Sequence, residues 1–321
     1  METTTGDRSV AWRGAALLVA LLSLVFIACG SGDSSEDEPD TAAATPTPAA
    51  FPFSYTDSSG TTLTFKEPAK RIISYSPGAT ETLFAIGAGA QVVATDRFSD
   101  FPAEVSALPK LEYSRPAPEP ALALTPDLII MASRQEGQVE QFRAANLKVL
   151  FLREPEDVDG VVDHIALLGR ITGQQAKAES LATDMDKRIA TVREKMAKVD
   201  KGPVVFYEVS PDGYSSAPDT FVGSLLKLTK AGNVAQGATT AFPQLSAEVV
   251  INANPDVILL SDAGQWGGQT LATVRERPGW SGIKAVSSGR VYEVDSSVFN
   301  RPGPRVIEAL EQLVKLLYPS L

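Results

Sequence analysis

The chain has one cysteine and one histidine in 321 residues. A lone cysteine, Cys29, rules out any intrachain disulfide. With one cysteine and one histidine, His164 in a helical stretch, no His/Cys metal centre can be assembled and no Ser-His-Asp triad is expected. Positive charge is also short: 29 Lys and Arg stand against 39 Asp and Glu, a formal net charge of -10. Phosphate backbones need a basic patch, so nucleic acid is excluded as a partner. Long apolar runs are missing too. The one near the start, Ala15 to Ala28, is shorter than the roughly 20 residues a membrane-spanning helix needs.

That run carries a different message. Arg8 and Arg13 precede it and Cys29 ends it, the pattern of an export signal. Val25-Phe26-Ile27-Ala28-Cys29 resembles the bacterial lipobox, with Phe26 where a smaller aliphatic residue is usual. The resemblance implies lipidation at Cys29 and an extracytoplasmic protein anchored to the cell membrane. Residues 1–29 are the expected signal segment. Residues 30–50, almost all Ser, Asp, Glu, Thr, Ala and Pro, cannot repay the entropy of ordering and are expected to form a flexible tether. The remaining stretch of roughly 270 residues is long enough for two cores.

Within it the chain repeats itself. Glu119-Pro120-Ala121-Leu122-Ala123-Leu124-Thr125-Pro126-Asp127-Leu128-Ile129-Ile130 is echoed by Glu248-Val249-Val250-Ile251-Asn252-Ala253-Asn254-Pro255-Asp256-Val257-Ile258-Leu259. Each copy has a Glu, a short apolar helix, a Pro-Asp turn and an apolar strand, with the same Glu-to-Asp spacing. Two similar lobes follow, and a cleft between lobes is a common ligand site.

Strands at Arg71–Tyr75, Gln91–Ala94, Leu128–Ala132 and Lys148–Leu152 alternate with helices at Gly78–Ile86, Gly137–Asn146 and Val158–Ile171. Ser76-Pro77 reads as the start of the first helix, Ser as cap and Pro in the first turn. The second lobe restarts at Val204–Val209 and closes with a helix over Val306–Leu317. Such alternation predicts α/β lobes with largely parallel sheets. Between them Leu181, Met185, Ile189, Val192 and Met196 recur at three- and four-residue steps with no Gly or Pro, which predicts one long helix over Gln174–Lys198. The expected organisation is an N-terminal lobe over 51–173, a connecting helix over 174–200 and a C-terminal lobe over 201–321.

The stretch Arg71-Ile72-Ile73-Ser74-Tyr75-Ser76-Pro77-Gly78-Ala79-Thr80-Glu81 resembles the opening of substrate-binding proteins of ABC importers for vitamin B12, haem and iron siderophores. Leu122–Ile129, Arg277-Pro278-Gly279-Trp280 and Gly289-Arg290-Val291-Tyr292 match the same family. The likeness implies two Rossmann-like α/β lobes joined by a single rigid helix, the class III periplasmic-binding-protein arrangement, and a monomer without enzymatic activity. Thr95–Pro102 and Asn300–Arg305 are similar to the vitamin B12 branch. A corrinoid is therefore the first-choice transported ligand, with a ferric siderophore (hydroxamate) and haem as alternatives; no intrinsic cofactor or metal is expected.

A broad half-apolar disc with amide arms calls for aromatic plates and hydrogen-bond donors on facing loops. The candidates are Tyr75, Ser76, Gly78, Phe98, Tyr113 and Arg134 in the first lobe and Tyr214, Phe242, Trp266, Phe299 and Arg301 in the second. By the resemblance, Phe98 replaces a ligand-facing tyrosine, Tyr113 and Phe242 replace tryptophans, and two further tryptophan positions are Ala132 and Val298. Arg97, Arg115, Arg134 and Arg301 on the same loops would suit an anionic ligand instead. Glu119 and Glu248 fall at the first turn of helices, where an acid favours the positive helix end. The resemblance also places them where the family meets arginines of the membrane permease. Two other classes fit the residues less well. An enzyme would use paired carboxylates such as Asp96 and Asp100, which have no nucleophile or base beside them. An adhesive surface lipoprotein would hold no small molecule.

Overall fold

In a computed structural model, residues 51–263 and 268–321 are described. The export signal, Cys29, the tether and Trp266 lie outside the described residues. Among the described residues no helix is long and apolar enough to cross a membrane.

The described chain opens with an antiparallel hairpin, β1 (Phe53–Thr56) and β2 (Thr62–Phe65). The N-terminal lobe is a five-stranded sheet of β3 (Ile72–Ser74), β4 (Val92–Asp96), β5 (Lys110–Leu111), β6 (Leu128–Met131) and β7 (Val149–Phe151). Its spatial order is β5-β4-β3-β6-β7 and every pairing is parallel. Parallel neighbours need crossovers, and α1 (Pro77–Ala85), α2 (Pro118–Leu122), α3 (Val139–Ala144) and α4 (Val158–Thr172) surround the sheet. α1 starts as the sequence predicts: the Ser76 hydroxyl accepts from the Ala79 N–H at 3.3 Å, and Pro77 sits in the first turn. α3 is shorter than expected, because a 3₁₀ turn over Ser133–Gln138 precedes it.

After the long α5 (Gln175–Met196) the C-terminal lobe repeats the plan with β8 (Val204–Ser210), β9 (Tyr214–Ser215), β10 (Gly232–Asn233), β11 (Val257–Leu260) and β12 (Val291–Glu293). The order is β10-β8-β11-β12, all parallel, with β9 antiparallel to β8. The helices are α6 (Phe221–Leu228), α7 (Ala247–Ala253), α8 (Leu271–Arg275), α9 (Lys284–Ser287), α10 (Ser296–Phe299) and α11 (Val306–Leu317).

The repeated Pro-Asp has a structural role in both lobes. The Asp127 carboxylate accepts from the backbone N–H groups of Lys70 (2.7 Å) and Arg71 (3.0 Å), which pins the start of β3. Asp256 does the same for β8, accepting from Val204 N–H at 2.9 Å. Two residues before each Asp, Thr125 and Asn254 both take a left-handed backbone, with φ of 46° and 44°. The echo thus encodes one helix-to-strand corner used twice.

The 22 residues of α5 span about 33 Å at 1.5 Å per residue. Met185, Ile189, Val192 and Met196 are buried, as their spacing predicts, and Leu181 is half-buried. The C-terminal half of the helix is tied to both lobes. Arg193 pairs with Asp159 of α4, and Arg188 makes a two-pronged contact with Glu311 of α11 at 2.8 and 2.9 Å. The apolar face of α5 joins a single continuous core that contains Ile72, Leu83 and Ile165 from one lobe and Val205, Leu225 and Leu310 from the other. Each sheet also has a separate core on its other face, around Phe142 and Phe151 in the first lobe and around Phe206 and Trp280 in the second. The lobes therefore share packed interior, and all described residues fall in one compact unit.

Candidate ligand cleft

In open α/β sheets, ligands bind beyond the carboxyl ends of the strands. The loops that leave those ends here enclose a cleft of about 560 Å³ between the lobes. Ser76, Pro77 and Gly78 follow β3, Arg97, Phe98 and Asp100 follow β4, Tyr113 follows β5, and Glu154 follows β7. The opposite wall is Ser296, Ser297, Asn300, Arg301 and Pro302, beyond β12. A second hollow of about 610 Å³ lies where the ends of α4, α5 and α6 meet. No aromatic lines it, and seven charged side chains do, so it offers no plate for a flat ring.

The cleft's aromatic plate is a pair. Phe98 is 36% exposed, and its ring meets Tyr113 edge to face at 4.9 Å. The Arg97 guanidinium lies 4.9 Å over the Phe98 ring. Buried groups fix both loops. Asp96 accepts from the N–H groups of Phe98 (2.7 Å) and Ser99 (3.1 Å). Burial raises the Asp96 pKa, while the bonds from Ser99 and Phe98 oppose the shift. Gln135, fully buried, donates to the Tyr113 carbonyl at 2.8 Å. Burial likewise raises the Tyr113 phenol pKa, helped by Glu154 and Asp96 and opposed by Arg134. On the other wall, the buried Tyr207 hydroxyl donates to Asn300.

Five of the named candidates come together here: Ser76, Gly78, Phe98, Tyr113 and Arg301. Arg134 is exposed outside the lining, near Tyr113. Two expectations are corrected. Tyr75 is 1% exposed and packs edge to face on Phe142, because β3 directs it into the outer core of its lobe. Phe299 is fully buried in the shared core, because the short α10 turns its apolar side inward and leaves Asn300 and Arg301 to face the cleft. Tyr214 (40% exposed) and Phe242 (58% exposed) do not line the cleft; they are solvent-facing rings on two adjacent C-lobe segments. Those segments are joined by Ser215 N–H to the Pro243 carbonyl at 2.9 Å. Ala132 and Val298 are buried. Asp96 and Asp100 are not an acid–base pair: the first braces its own loop and the second pairs with Arg301 at 2.8 Å. The polar lining residues outside the ligand candidates are Asp100, Glu154, Ser296, Ser297 and Asn300. Asp100 and Asn300 had a signal, in the Thr95–Pro102 and Asn300–Arg305 stretches.

Charge in the lining is balanced. Arg97 and Arg301 are the cations, Asp100 and Glu154 the anions. Arg301 is already engaged, with Glu81 at 2.7 Å, Asp100 at 2.8 Å and the Phe98 carbonyl at 3.1 Å.

Glu119 and Glu248 are both exposed, in the first turns of α2 and α7. Glu248 has a lowered pKa, chiefly through its own backbone N–H and then the Ser246 hydroxyl. An exposed apolar residue stands beside each, Leu122 and Val249.

Two mostly parallel α/β lobes, one joining helix and a cleft at the strand ends define a binding protein. The chain belongs to the periplasmic binding protein family, whose model matches residues 72–298. This family comprises substrate-binding proteins of ABC transporters and is non-enzymatic. The chain is 32% identical over 314 residues to the ABC transporter substrate-binding lipoprotein YvrC of Bacillus subtilis, covering 95% of this chain and 98% of that one. It is 27% identical over 277 residues to a cobalamin-binding protein of Halobacterium salinarum, covering 84% and 75%. Its fold is similar to that of the periplasmic haem-binding protein RhuT of Roseiflexus sp. RS-1 in apo form, with a TM-score of 0.70, 27% identity, and coverage of 78% and 98%.

Proposed function

We propose that this chain is the extracytoplasmic, lipid-anchored substrate-binding component of an ABC importer, and that it carries a corrinoid. The observation that supports the ligand choice is the character of the cleft: an aromatic pair, Phe98 and Tyr113, in a lining whose charges cancel. A corrinoid offers a flat, half-apolar ring with uncharged amide arms. Ser76, Ser297 and Asn300 are the hydrogen-bonding groups for those arms. Tyr214 and Phe242, exposed on the C-terminal lobe, extend the aromatic surface when the ligand is seated. A ferric hydroxamate or haem is the second reading, supported by the haem-binding structural relative and by Arg97 and Arg134 near the mouth. The shared core implies capture with little hinge motion. Glu119 and Glu248, one on each lobe, dock on the permease and add orientation more than affinity. Residues 1–29 direct export, and Cys29 bears the lipid. The test is titration of the purified full-length chain with cyanocobalamin, haemin and a ferric hydroxamate, followed by tryptophan fluorescence. Micromolar or tighter binding of cyanocobalamin is expected. Binding of the iron chelate alone would end the corrinoid reading.

A further inference from the structure

Three side chains from two lobes converge on one point beside the cleft. Glu81, on α1 of the N-terminal lobe, has a side chain only 3% exposed. Its carboxylate accepts from Arg301 at 2.7 Å and from Arg305 Nε at 3.0 Å, both on the C-terminal lobe. Arg305 in turn lies 3.9 Å over the ring of Phe101. The backbones touch here as well: a Cβ on Gly78 would stand 2.4 Å from the Pro302 carbonyl oxygen. Arg301 is the one member of the ion cluster besides Asp100 that also lines the cleft.

The two carboxylates on Arg301 are unequal. Asp100 is 61% exposed, so water screens it and it holds the guanidinium weakly. Glu81 is sealed from solvent, where a charge-assisted bond is strongest and an unpaired charge most costly. Burial alone would weaken the charge on Arg301, yet its bonds to Asp100 and Glu81 leave its pKa raised. We infer that Glu81, which does not line the cleft, is a specificity-determining positioning residue: it retains Arg301 in the interlobe cluster and so withholds a guanidinium from the ligand. Without the negative charge of Glu81, Arg301 would keep only the screened Asp100 and the Phe98 carbonyl, and this lining cation would be free to meet an anionic ligand. The inference rests on this cleft being the ligand site, but not on the ligand being a corrinoid.

The probes are haemin and its dimethyl ester, which share one ring and differ in two carboxylates. They are titrated into full-length wild-type, Glu81→Gln, Arg301→Gln and doubly substituted protein in lipid nanodiscs, with the Soret band as readout. Partition into lipid is common to all four proteins and cancels in the comparison. In Glu81→Gln the preference for haemin over the ester should rise about tenfold, the size of one charge-assisted hydrogen bond. Arg301→Gln removes a lining cation and is the reference for the double variant, which should show the same preference as Arg301→Gln alone. If Glu81→Gln does not fold, Glu81→Asp, whose shorter carboxylate holds Arg301 less closely, should give a smaller rise in the same direction. An unchanged preference in folded Glu81→Gln or, failing that, in Glu81→Asp, or a gain in the double variant over Arg301→Gln, would overturn the inference. Whether wild-type protein takes cyanocobalamin is read separately and bears only on the corrinoid reading.

Discussion

Replacing Gly78 by alanine sets two effects of similar size against each other. Gly78 lies in the first turn of α1, where alanine is favoured over glycine by at most the roughly 1 kcal/mol seen in helix interiors. Against this, the new Cβ would stand 2.4 Å from the Pro302 carbonyl oxygen and 3.0 Å from its carbon. Ordinary contact begins near 3.4 Å, so the 300–305 segment must retreat by about 1 Å. The obstacle is backbone, with no side chain to swing aside. Overpacking of this kind costs about 1–3 kcal/mol, and the retreat also stretches the Arg301–Glu81 and Arg305–Glu81 contacts. The clash should win by about 1–2 kcal/mol, which lowers the midpoint of thermal unfolding by about 2–8 °C in a protein of this size. Gly137→Ala is the control: Gly137 is exposed, with no atom within 4 Å of the added carbon, and its midpoint should stay within about 1 °C of wild type. The measurement is a melt of both variants by circular dichroism. A Gly78→Ala midpoint at or above wild type would refute the close approach of the lobes on which the cleft geometry depends.

His164 gives a pH-dependent prediction. It borders a small cavity beside the cleft with Glu154 and Pro302, and burial pushes its pKa down to about 4 from 6.5, with Asp163 opposing. The stability that a neutral His164 contributes is complete above about pH 6.5 and is lost as the pH falls towards 4, because the unfolded chain takes up the proton first. The loss amounts to at most about 3 kcal/mol, and His164→Gln should flatten urea-unfolding stability across that window; an equally steep curve in the variant would place the titration elsewhere. For docking, Glu119→Ala combined with Glu248→Ala should leave ligand affinity intact and abolish uptake in cells, whereas normal uptake would remove that role.

The architecture was legible where the signal is local. The cap at Ser76-Pro77, the apolar spacing of α5 and the doubled Pro-Asp corner each depend on residues a few positions apart, and each appears as read. The site was legible only in part. Tyr75 and Phe299 sit in stretches that do reach the cleft, yet which way a ring turns depends on the layer packed beneath it, and no short pattern encodes that. The cluster around Glu81 was out of reach for a different reason. Its partner Arg301 is 220 positions away, and Thr80-Glu81 reads locally as an ordinary polar stretch of helix.

A sequence that repeats itself invites the thought that either copy could be cut out and kept. The packing in this chain denies it. Val205, Tyr207 and Leu310 are covered by the same apolar mass that covers Leu83 and Ile165, with α5 threaded through the middle. Severing the chain at the joining helix would bare that surface on both fragments, so the two halves have traded independence for a common foundation and should melt together in one transition.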